Sequence, residues 1–243
     1  MHNWKILVTG GTSGIGMACC QQLLEKGCSV WTWARHPADW SHPNLHFIAC
    51  DLADPKSRAA ALKETLSATG GCLDGLVLNA AWYALSPGLS ESITTVRTAF
   101  EVIFFANYDI LRNLESSLLA GQGKSVVLVS STLSHRPLGV SAVYSATKSA
   151  GDSLMKSLAL AYADRGLRFN SVLPGVVDTA IHEPQKPGDP SRAEKMAQVA
   201  NLHPLGRVGK PEEIANMIVH LLGPAAAWTT GAMIPVDGGI SLA

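Results

Sequence analysis

Tyr144 and Lys148 are the side chains whose types and spacing best suit catalysis in this 243-residue chain. They stand four residues apart where a helical pattern begins, so both project from one face of the helix, about one turn apart. A phenol has a pKa of about 10, and an adjacent ammonium favours the phenolate and lowers that pKa. We therefore predict that Tyr144 has a lowered pKa and exchanges a proton with a carbonyl or alcohol oxygen.

Ser131 is the third residue of this candidate site. It lies thirteen residues before Tyr144 and closes the strand pattern that begins with Val126-Val127-Leu128-Val129. A hydroxyl at the end of a buried strand can donate a hydrogen bond to the same substrate oxygen. The three side chains together predict a site for the interconversion of carbonyl and alcohol groups.

The segment 9–16 carries a second chemical signal, the glycine spacing G-x-x-x-G-x-G. It follows the apolar run Ile6-Leu7-Val8 and opens a helical pattern, where glycines let the backbone turn sharply and approach a pyrophosphate. A tight strand-to-helix turn without a ligand is the alternative. The pattern predicts that a dinucleotide coenzyme is bound by Gly10, Thr12, Ser13, Gly14, Ile15 and Gly16.

Arg35 bears on the choice between NAD and NADP. The second apolar run ends at Ala34, where NAD enzymes commonly carry an acidic residue that accepts hydrogen bonds from the ribose. Here the carboxylate is missing and a guanidinium follows, which can bind a 2′-phosphate through two hydrogen bonds. We therefore predict that NADP(H) is preferred over NAD(H), with an ordinary solvated arginine as the alternative.

Short apolar runs alternate with longer helical patterns along the chain. The runs are continuous rather than alternating, which is typical of parallel strands buried on both faces. The predicted fold is a doubly wound α/β parallel sheet of the Rossmann type, with helices on both faces. Strands are predicted at 6–8, 30–33, 46–48, 76–78, 126–129 and 169–173, and helices near 14–26, 55–69, 92–120, 142–165 and 211–222.

One long irregular stretch lies at about 180–209, where several prolines precede a capping box of Ser191 and Glu194. A loop of this length inside an α/β domain is typical of a binding loop. No repeat or linker divides the chain. We therefore predict one domain over residues 1–243, with a substrate lid at about 180–209.

The composition argues against polyanionic partners and membranes. Nineteen basic and nineteen acidic residues give no attraction to nucleic acid or anionic lipid, and no apolar stretch approaches the ~20 residues of a spanning helix. The five cysteines lack C-x-x-C spacing, the eight histidines are scattered, and residues 1–16 do not resemble a signal peptide. We expect a reduced, cytoplasmic protein without a metal site. Only 16% of the residues are charged, so we also expect further copies of the chain to cover part of its surface.

These motifs resemble the short-chain dehydrogenase/reductase family over essentially the whole chain. The resemblance implies a catalytic tetrad in which Tyr144 exchanges the proton, Ser131 orients the carbonyl, Lys148 holds the ribose and tunes Tyr144, and Asn107 anchors a water relay. The markers appear in family order: the glycine loop, Asp51-Leu52, Asn79-Ala80-Ala81, Asn107, Ser130-Ser131, Tyr144-Ser145-Ala146-Thr147-Lys148, Pro174-Gly175 and Asp237-Gly238-Gly239.

The resemblance also assigns coenzyme contacts. Asp51 and Leu52 flank the adenine, Asn79, Ala80 and Ala81 line the coenzyme channel, and Pro174, Gly175, Val177 and Thr179 belong to the nicotinamide side, where Val177 and Thr179 hold the carboxamide. Two departures bear on the fit of the coenzyme. Leu78 and Ala81 replace an asparagine and a glycine of the family, and Ser13 stands where many NADP-dependent members carry a basic residue.

The resemblance implies an NADP(H)-dependent oxidoreductase that reduces a ketone or a 3-oxoacyl-type carbonyl. The alternatives are an NAD(P)-dependent alcohol or dihydrodiol dehydrogenase, and a non-catalytic coenzyme-binding regulatory protein. Trp82, Tyr83, His135 and Arg136 follow strand ends and are candidates for substrate contact. A face of small residues on the helix after Tyr144 predicts a homotetramer or homodimer: Ala146, Ser149, Ala150, Ser153 and Ser157.

Overall fold

The computed structural model describes residues 1–83, 88–184 and 189–243. Its described part contains a seven-stranded sheet in the order β3-β2-β1-β4-β5-β6-β7, and every neighbouring pair is parallel. The order reverses between β1 and β4, so the predicted doubly wound fold is confirmed. The strands are β1 (Lys5–Thr9), β2 (Ser29–Ala34), β3 (Leu45–Ala49), β4 (Gly75–Leu78), β5 (Ser125–Val129), β6 (Arg168–Pro174) and β7 (Met233–Val236).

The apolar strand residues divide between two cores, one on each face of the sheet. Successive side chains of a strand point to opposite faces, so in β4 Leu76 and Leu78 enter one core and Val77 enters the other. Both cores exclude water, which explains why the central strands are continuous apolar runs.

Helices cover both faces, as predicted. The first core is covered by α2 (Pro55–Thr69), α4 (Ala106–Ala120) and α5 (Ala142–Ala161), and the second by α1 (Gly14–Glu25) and α7 (Pro211–Leu222). Pro211 opens α7, and the Glu213 carboxylate accepts a 2.8 Å hydrogen bond from the Lys210 N–H. None of the helices in the described ranges is long and apolar enough to cross a membrane.

The helix predicted over 92–120 is interrupted. Helix α3 (Ile93–Phe100) leads into a π-helical turn at Glu101–Phe105, and α4 then begins at Ala106. The sequence pattern does not show this wider turn, because the four residues after Glu101 are all apolar and continue the helical pattern. Turns of this kind are frequent at functional sites, and Asn107 lies directly after this one. Helix α5 also ends at Ala161, short of the predicted 165.

Strand β7 was missed by the sequence patterns. It pairs with β6 at the edge of the sheet, contains Pro235 and is partly exposed. An edge strand tolerates proline because one side of its backbone needs no partner in the sheet. Four half-buried residues with a proline do not form the apolar run that identified the other strands.

The predicted lid contains a short 3-10 turn at Ala180–His182 and the helix α6 (Arg192–Ala200), while residues 185–188 lie outside the described residues. The capping box is confirmed, since the Glu194 carboxylate accepts a 2.8 Å hydrogen bond from the Ser191 N–H and the Ser191 hydroxyl accepts one of 3.3 Å from the Glu194 N–H. Arg192 joins this helix to the segment after β6 through ion pairs with Asp178 at 3.1 Å and Glu183 at 2.8 Å.

Candidate active site

Tyr144, Ser131 and Lys148 come together beyond the carboxyl end of β5. The Ser131 hydroxyl forms a hydrogen bond with the Tyr144 phenol and accepts another, of 3.1 Å, from the Leu133 N–H. The Lys148 Nζ lies 5.6 Å from the centre of the Tyr144 ring. All three side chains are buried, so the groups that the sequence spacing selected share one site with little access to bulk water.

The Lys148 ammonium is held by the backbone, because it donates a 2.7 Å hydrogen bond to the Val129 carbonyl. Burial lowers its pKa to about 8, and the carboxylate of Asp152 acts in the opposite direction. Asp152 is itself buried and accepts a 2.8 Å hydrogen bond from the Ser130 hydroxyl. Our sequence analysis missed Asp152, although its position four residues after Lys148 places both on one helix face.

The expectation that Tyr144 has a lowered pKa is wrong for the protein on its own. Burial is the largest influence and raises the pKa well above its ordinary value, Tyr83 raises it further, and the hydrogen bond with Ser131 lowers it. The Lys148 ammonium does not reverse this increase, because it lies by the ring and donates to the Val129 carbonyl. The phenol is therefore protonated at neutral pH.

Asn107 lies in the same buried region, just after the π-helical turn. Its Nδ2 donates a 2.7 Å hydrogen bond to the Ile103 carbonyl, whereas its Oδ1 has no hydrogen-bond partner among the described residues. A buried amide oxygen without a partner is costly and is commonly satisfied by an ordered water. This geometry fits the water-holding position that the resemblance assigns to Asn107.

The glycine loop is packed too closely to carry side chains. A methyl group on Gly16 would lie 2.2 Å from the Gly10 carbonyl oxygen, and Gly10 and Gly14 have φ angles of 68° and 52°. Ser13 caps α1 without a side-chain hydrogen bond, so the first N–H groups of the helix are available to an anion. The loop therefore has the close packing and the free N–H groups that a pyrophosphate site needs.

Asn79 supports this loop despite the departures from the family pattern. Its Nδ2 donates to the carbonyls of Thr9 at 3.0 Å and Gly10 at 3.1 Å. The Thr9 hydroxyl accepts hydrogen bonds from the N–H groups of Asn79 at 3.0 Å and Ala80 at 3.1 Å. Leu78 is buried in the core at the end of β4, so the missing amide does not leave the loop unsupported.

Arg35 directly follows the carboxyl end of β2 and is exposed. Within the described ranges it forms no ion pair, so its guanidinium is available to a phosphate. Asp51 and Leu52 follow the neighbouring strand β3, where the Cys50 N–H donates a 3.0 Å hydrogen bond to the Ala34 carbonyl. The residues assigned to the adenosine end of the coenzyme thus lie side by side.

Arg58 is a buried cation that our sequence analysis missed. It donates hydrogen bonds to the Leu52 carbonyl at 2.5 Å, to the Glu101 carboxylate at 2.7 Å and to the Asp109 carboxylate at 3.0 Å. Glu101 begins the π-helical turn and Asp109 follows Asn107 by two residues. One guanidinium therefore joins Leu52, which the resemblance assigns to the adenine, to the segment that carries Asn107.

The segment after β6 approaches the glycine loop from the other side. Val177 is buried and forms an isolated parallel bridge with Gly209 at the end of the lid. A methyl group on Gly14 would lie 3.1 Å from the Thr179 Cγ2, so these two segments are in contact. Gly175 has no room for a side chain beside Asp237, since a Cβ there would lie 2.9 Å from the Asp237 Cα.

Two of the four candidate substrate residues border Tyr144. Trp82 lines a shallow depression beside Tyr144, and the Tyr83 ring meets the Tyr144 ring edge-on with centroids 5.0 Å apart. His182 of the lid, which was not predicted, contacts Tyr83 with ring centroids 5.6 Å apart. The other two candidates, His135 and Arg136, are exposed and bonded elsewhere, Arg136 to the Ile240 carbonyl at 3.0 Å.

Known proteins resemble this chain over nearly its full length. A family described as Enoyl-(Acyl carrier protein) reductase matches residues 10–241. D-erythrulose reductase of Gallus gallus is 34% identical over 241 residues, covering 97% of this chain and 94% of that protein. Cis-4-hydroxycyclohexanecarboxylate dehydrogenase of Sinomonas cyclohexanicum is 35% identical over 247 residues, covering 96% and 94%. A short chain dehydrogenase family protein from Francisella tularensis has a TM-score of 0.90 at 29% identity, covering 99% of this chain and 100% of that one.

Proposed function

The chain belongs to the short-chain dehydrogenase/reductase family, whose members are nicotinamide-dependent oxidoreductases of alcohols and carbonyls, and we propose that it is an NADP(H)-dependent ketone reductase. The observation that carries this proposal is the protonated Tyr144 phenol, which is hydrogen-bonded to Ser131 and lies beside the buried Lys148 ammonium. Reduction of a ketone needs an acid at this position, and the protonated phenol supplies it.

Each of the four residues has a distinct part in this proposal. Ser131 orients the carbonyl oxygen by a hydrogen bond, and Tyr144 gives that oxygen its proton. The Lys148 ammonium, whose pKa is about 8, stabilises the phenolate that remains. Asn107 holds a water on its free Oδ1, through which solvent returns the proton. NADPH, when bound, supplies the hydride for the carbonyl carbon.

The coenzyme site of this proposal runs along the carboxyl ends of the strands. The glycine loop and the uncapped start of α1 hold the pyrophosphate, and Arg35 binds the 2′-phosphate. The remaining contacts are Asp51 and Leu52 at the adenine, Asn79, Ala80 and Ala81 along the channel, Tyr144 and Lys148 at the nicotinamide ribose, and Pro174, Gly175, Val177 and Thr179 at the nicotinamide.

The substrate of this proposal is a ketone, with 3-oxoacyl thioesters among the candidates, and the residues at about 180–209 act as its lid within one catalytic domain. The oxidative direction is the second candidate, favoured by the similarity to a relative named as a dehydrogenase. The same four residues serve both directions, since Tyr144 would then accept the proton. The equilibrium and the ratio of reduced to oxidised coenzyme decide between them.

We also propose that the protein forms a homodimer or homotetramer through the surface of α4 and α5. On α5 the small residues Ala146, Ser153 and Ser157 are exposed, and Phe105, just before α4, and Tyr108 of α4 are about half exposed. A face of small side chains beside exposed aromatic rings suits close packing against a second copy.

A reducing compartment such as the cytoplasm suits the adjacent buried thiols of Cys19 and Cys20.

The experiment for the proposed function is NADPH oxidation with a panel of ketones, measured for the wild type and for Tyr144→Phe. The substitution keeps the ring and removes the proton donor, so kcat should fall by about 10²–10⁴-fold while NADPH still binds. Near-normal turnover by Tyr144→Phe would overturn the assignment of the acid.

A further inference from the structure

Three aromatic rings form a row from the catalytic helix to the lid. The Tyr83 ring stands at 88° to the Tyr144 ring with centroids 5.0 Å apart, and at 80° to the His182 ring with centroids 5.6 Å apart. Tyr83 follows β4, whereas His182 belongs to the lid, so the row joins two separate segments beside Tyr144. Tyr83 and His182 therefore border the space at Tyr144 in which a substituent of a bound ketone can lie.

The polar atoms of Tyr83 and His182 are available to that substituent. In the part of the chain that the structure describes, the Tyr83 hydroxyl and the His182 ring nitrogens form no hydrogen bond. These atoms are not among the fully buried polar atoms that lack a partner, so each keeps some exposed surface. His182 is held by its backbone instead, since its carbonyl accepts a 3.1 Å hydrogen bond from the Lys195 Nζ. A phenol and a neutral imidazole can each donate and accept, which is the capacity that a hydroxyl group needs from its partners.

The charge state of these two residues favours a neutral group. Burial lowers the pKa of His182, and Lys195 lowers it further, so the imidazole is uncharged at neutral pH. Burial raises the pKa of Tyr83, so its phenol is protonated. The nearby guanidinium of Arg192 is already paired with Asp178 and Glu183. The Lys195 ammonium is bonded to the His182 carbonyl, so a carboxylate between the two rings would meet two neutral partners, whereas a hydroxyl would be fully satisfied.

We propose that Tyr83 and His182 are specificity-determining residues that bind a hydroxyl group next to the reacting carbonyl, so that hydroxy ketones are the substrate class. This inference rests on the proposed ketone reduction at Tyr144. The product is a vicinal diol: the carbonyl carbon gains a hydride from NADPH, its oxygen gains the Tyr144 proton, and the bound hydroxyl is unchanged.

The test compares three ketones with the same four-carbon skeleton, namely 2-butanone, 1-hydroxy-2-butanone and 2-oxobutanoate, each reduced with NADPH. For the wild type, kcat/KM for the hydroxy ketone should exceed that for each of the others by about 10-fold or more, as two neutral hydrogen bonds provide. Tyr83→Phe and His182→Phe keep a ring in the row but remove its polar atom, and each should lower the ratio of hydroxy ketone to 2-butanone by about 3- to 10-fold.

Tyr162→Phe is the matched control, because the Tyr162 ring packs on Phe169 at the far end of α5. It should leave the ratio unchanged. Equal kcat/KM of the wild type for 2-butanone and the hydroxy ketone would overturn the proposal that Tyr83 and His182 bind a hydroxyl group. An equal loss of kcat/KM for both ketones in Tyr83→Phe would overturn it as well. Both outcomes leave the proposed ketone reduction intact. Preference for 2-oxobutanoate also overturns the proposed binding of a hydroxyl group. No turnover of any ketone by the wild type would contradict both proposals.

Discussion

The Asp152 carboxylate is buried one helical turn beyond Lys148 on α5. Its Oδ2 accepts a hydrogen bond from Ser130, and its Oδ1 has no partner among the described residues. A buried negative charge at this distance stabilises the Lys148 ammonium against the effect of burial. The chain thus carries its own means of keeping this lysine charged in an apolar setting.

The first prediction concerns pH. The pKa of Lys148 is lowered to about 8, so the ammonium is present below that pH and is lost as the pH rises through it. If the ammonium is required, kcat/KM for ketone reduction should fall above about pH 8. Asp152→Asn removes the charge that raises this pKa, so the fall should begin at a lower pH.

Asp74→Asn is the control for that profile. Asp74 is also buried and accepts hydrogen bonds of 2.7 Å from the N–H groups of Lys5 and Gln122. It directly precedes β4, so it lies at the amino ends of the strands, whereas Lys148 lies beyond their carboxyl ends. Its substitution should lower stability without moving the pH profile. An Asp152→Asn profile that coincides with that of the wild type would show that the carboxylate does not set the charge of Lys148.

The second prediction concerns the buried guanidinium of Arg58. Arg58→Met leaves the carboxylates of Glu101 and Asp109 without their partner, and both are about one-third exposed, so water compensates part of the loss. We expect the free energy of unfolding to fall by about 2 kcal/mol in urea denaturation. Turnover should fall as well, since Asn107 lies between these two carboxylates in the sequence.

Arg165→Met provides the comparison, because Arg165 pairs with Glu115 at 2.8 Å on the surface, with both side chains well exposed. An exposed pair contributes about 0–1 kcal/mol, so this variant should be nearly as stable as the wild type. Equal destabilisation by the two substitutions would mean that burial does not distinguish the two ion pairs.

Burial decided which features could be read from the sequence. The central strands were predictable because a strand covered on both faces favours a continuous apolar run, as at residues 126–129 of β5. Strand β7 was not, because an edge strand with Pro235 needs no such run. The glycine spacing predicted the loop because Gly10 and Gly14 have positive φ angles and a methyl group on Gly16 would collide with the Gly10 carbonyl. Requirements of this kind involve neighbouring residues in the sequence, so the sequence pattern predicts them.

Properties that depend on distant partners could not be predicted. The pKa of Tyr144 is raised because several elements bury it, a fact that its spacing from Lys148 does not contain. The sequence around Arg58 does not show that this side chain is buried, because Glu101 and Asp109 approach it from other elements. The position of His182 near Tyr144 likewise could not be predicted, because it depends on the contact between the His182 and Tyr83 rings.

The third prediction concerns the glycine loop. In Gly16→Ala the new methyl group would lie 2.2 Å from the Gly10 carbonyl oxygen, so the loop must shift. Coenzyme affinity, measured by fluorescence titration with NADPH, should fall by about 10-fold or more, because the N–H groups that meet the pyrophosphate move with the loop. Gly139→Ala is the control, since nothing lies within 4 Å of a Cβ there. Unchanged affinity in Gly16→Ala would exclude this loop as the pyrophosphate site.

The last prediction is the choice of coenzyme, which depends on charge at the end of β2. NADP carries a 2′-phosphate that needs a cation, whereas NAD offers hydroxyls to an acidic acceptor, and this chain has Ala34 followed by the exposed Arg35. Charge-assisted hydrogen bonds from Arg35, at roughly 1.5–3 kcal/mol, correspond to a preference for NADP of about 10- to 150-fold in Kd. Arg35→Leu should remove that preference, and Ala34→Asp with Arg35→Leu should reverse it. Arg112 is an exposed arginine of α4, and Arg112→Leu controls for the change in net charge. At constant ionic strength this variant should bind both NADP and NAD with the Kd of the wild type. Wild-type protein that binds NAD as tightly as NADP would show that Arg35 is only a surface residue.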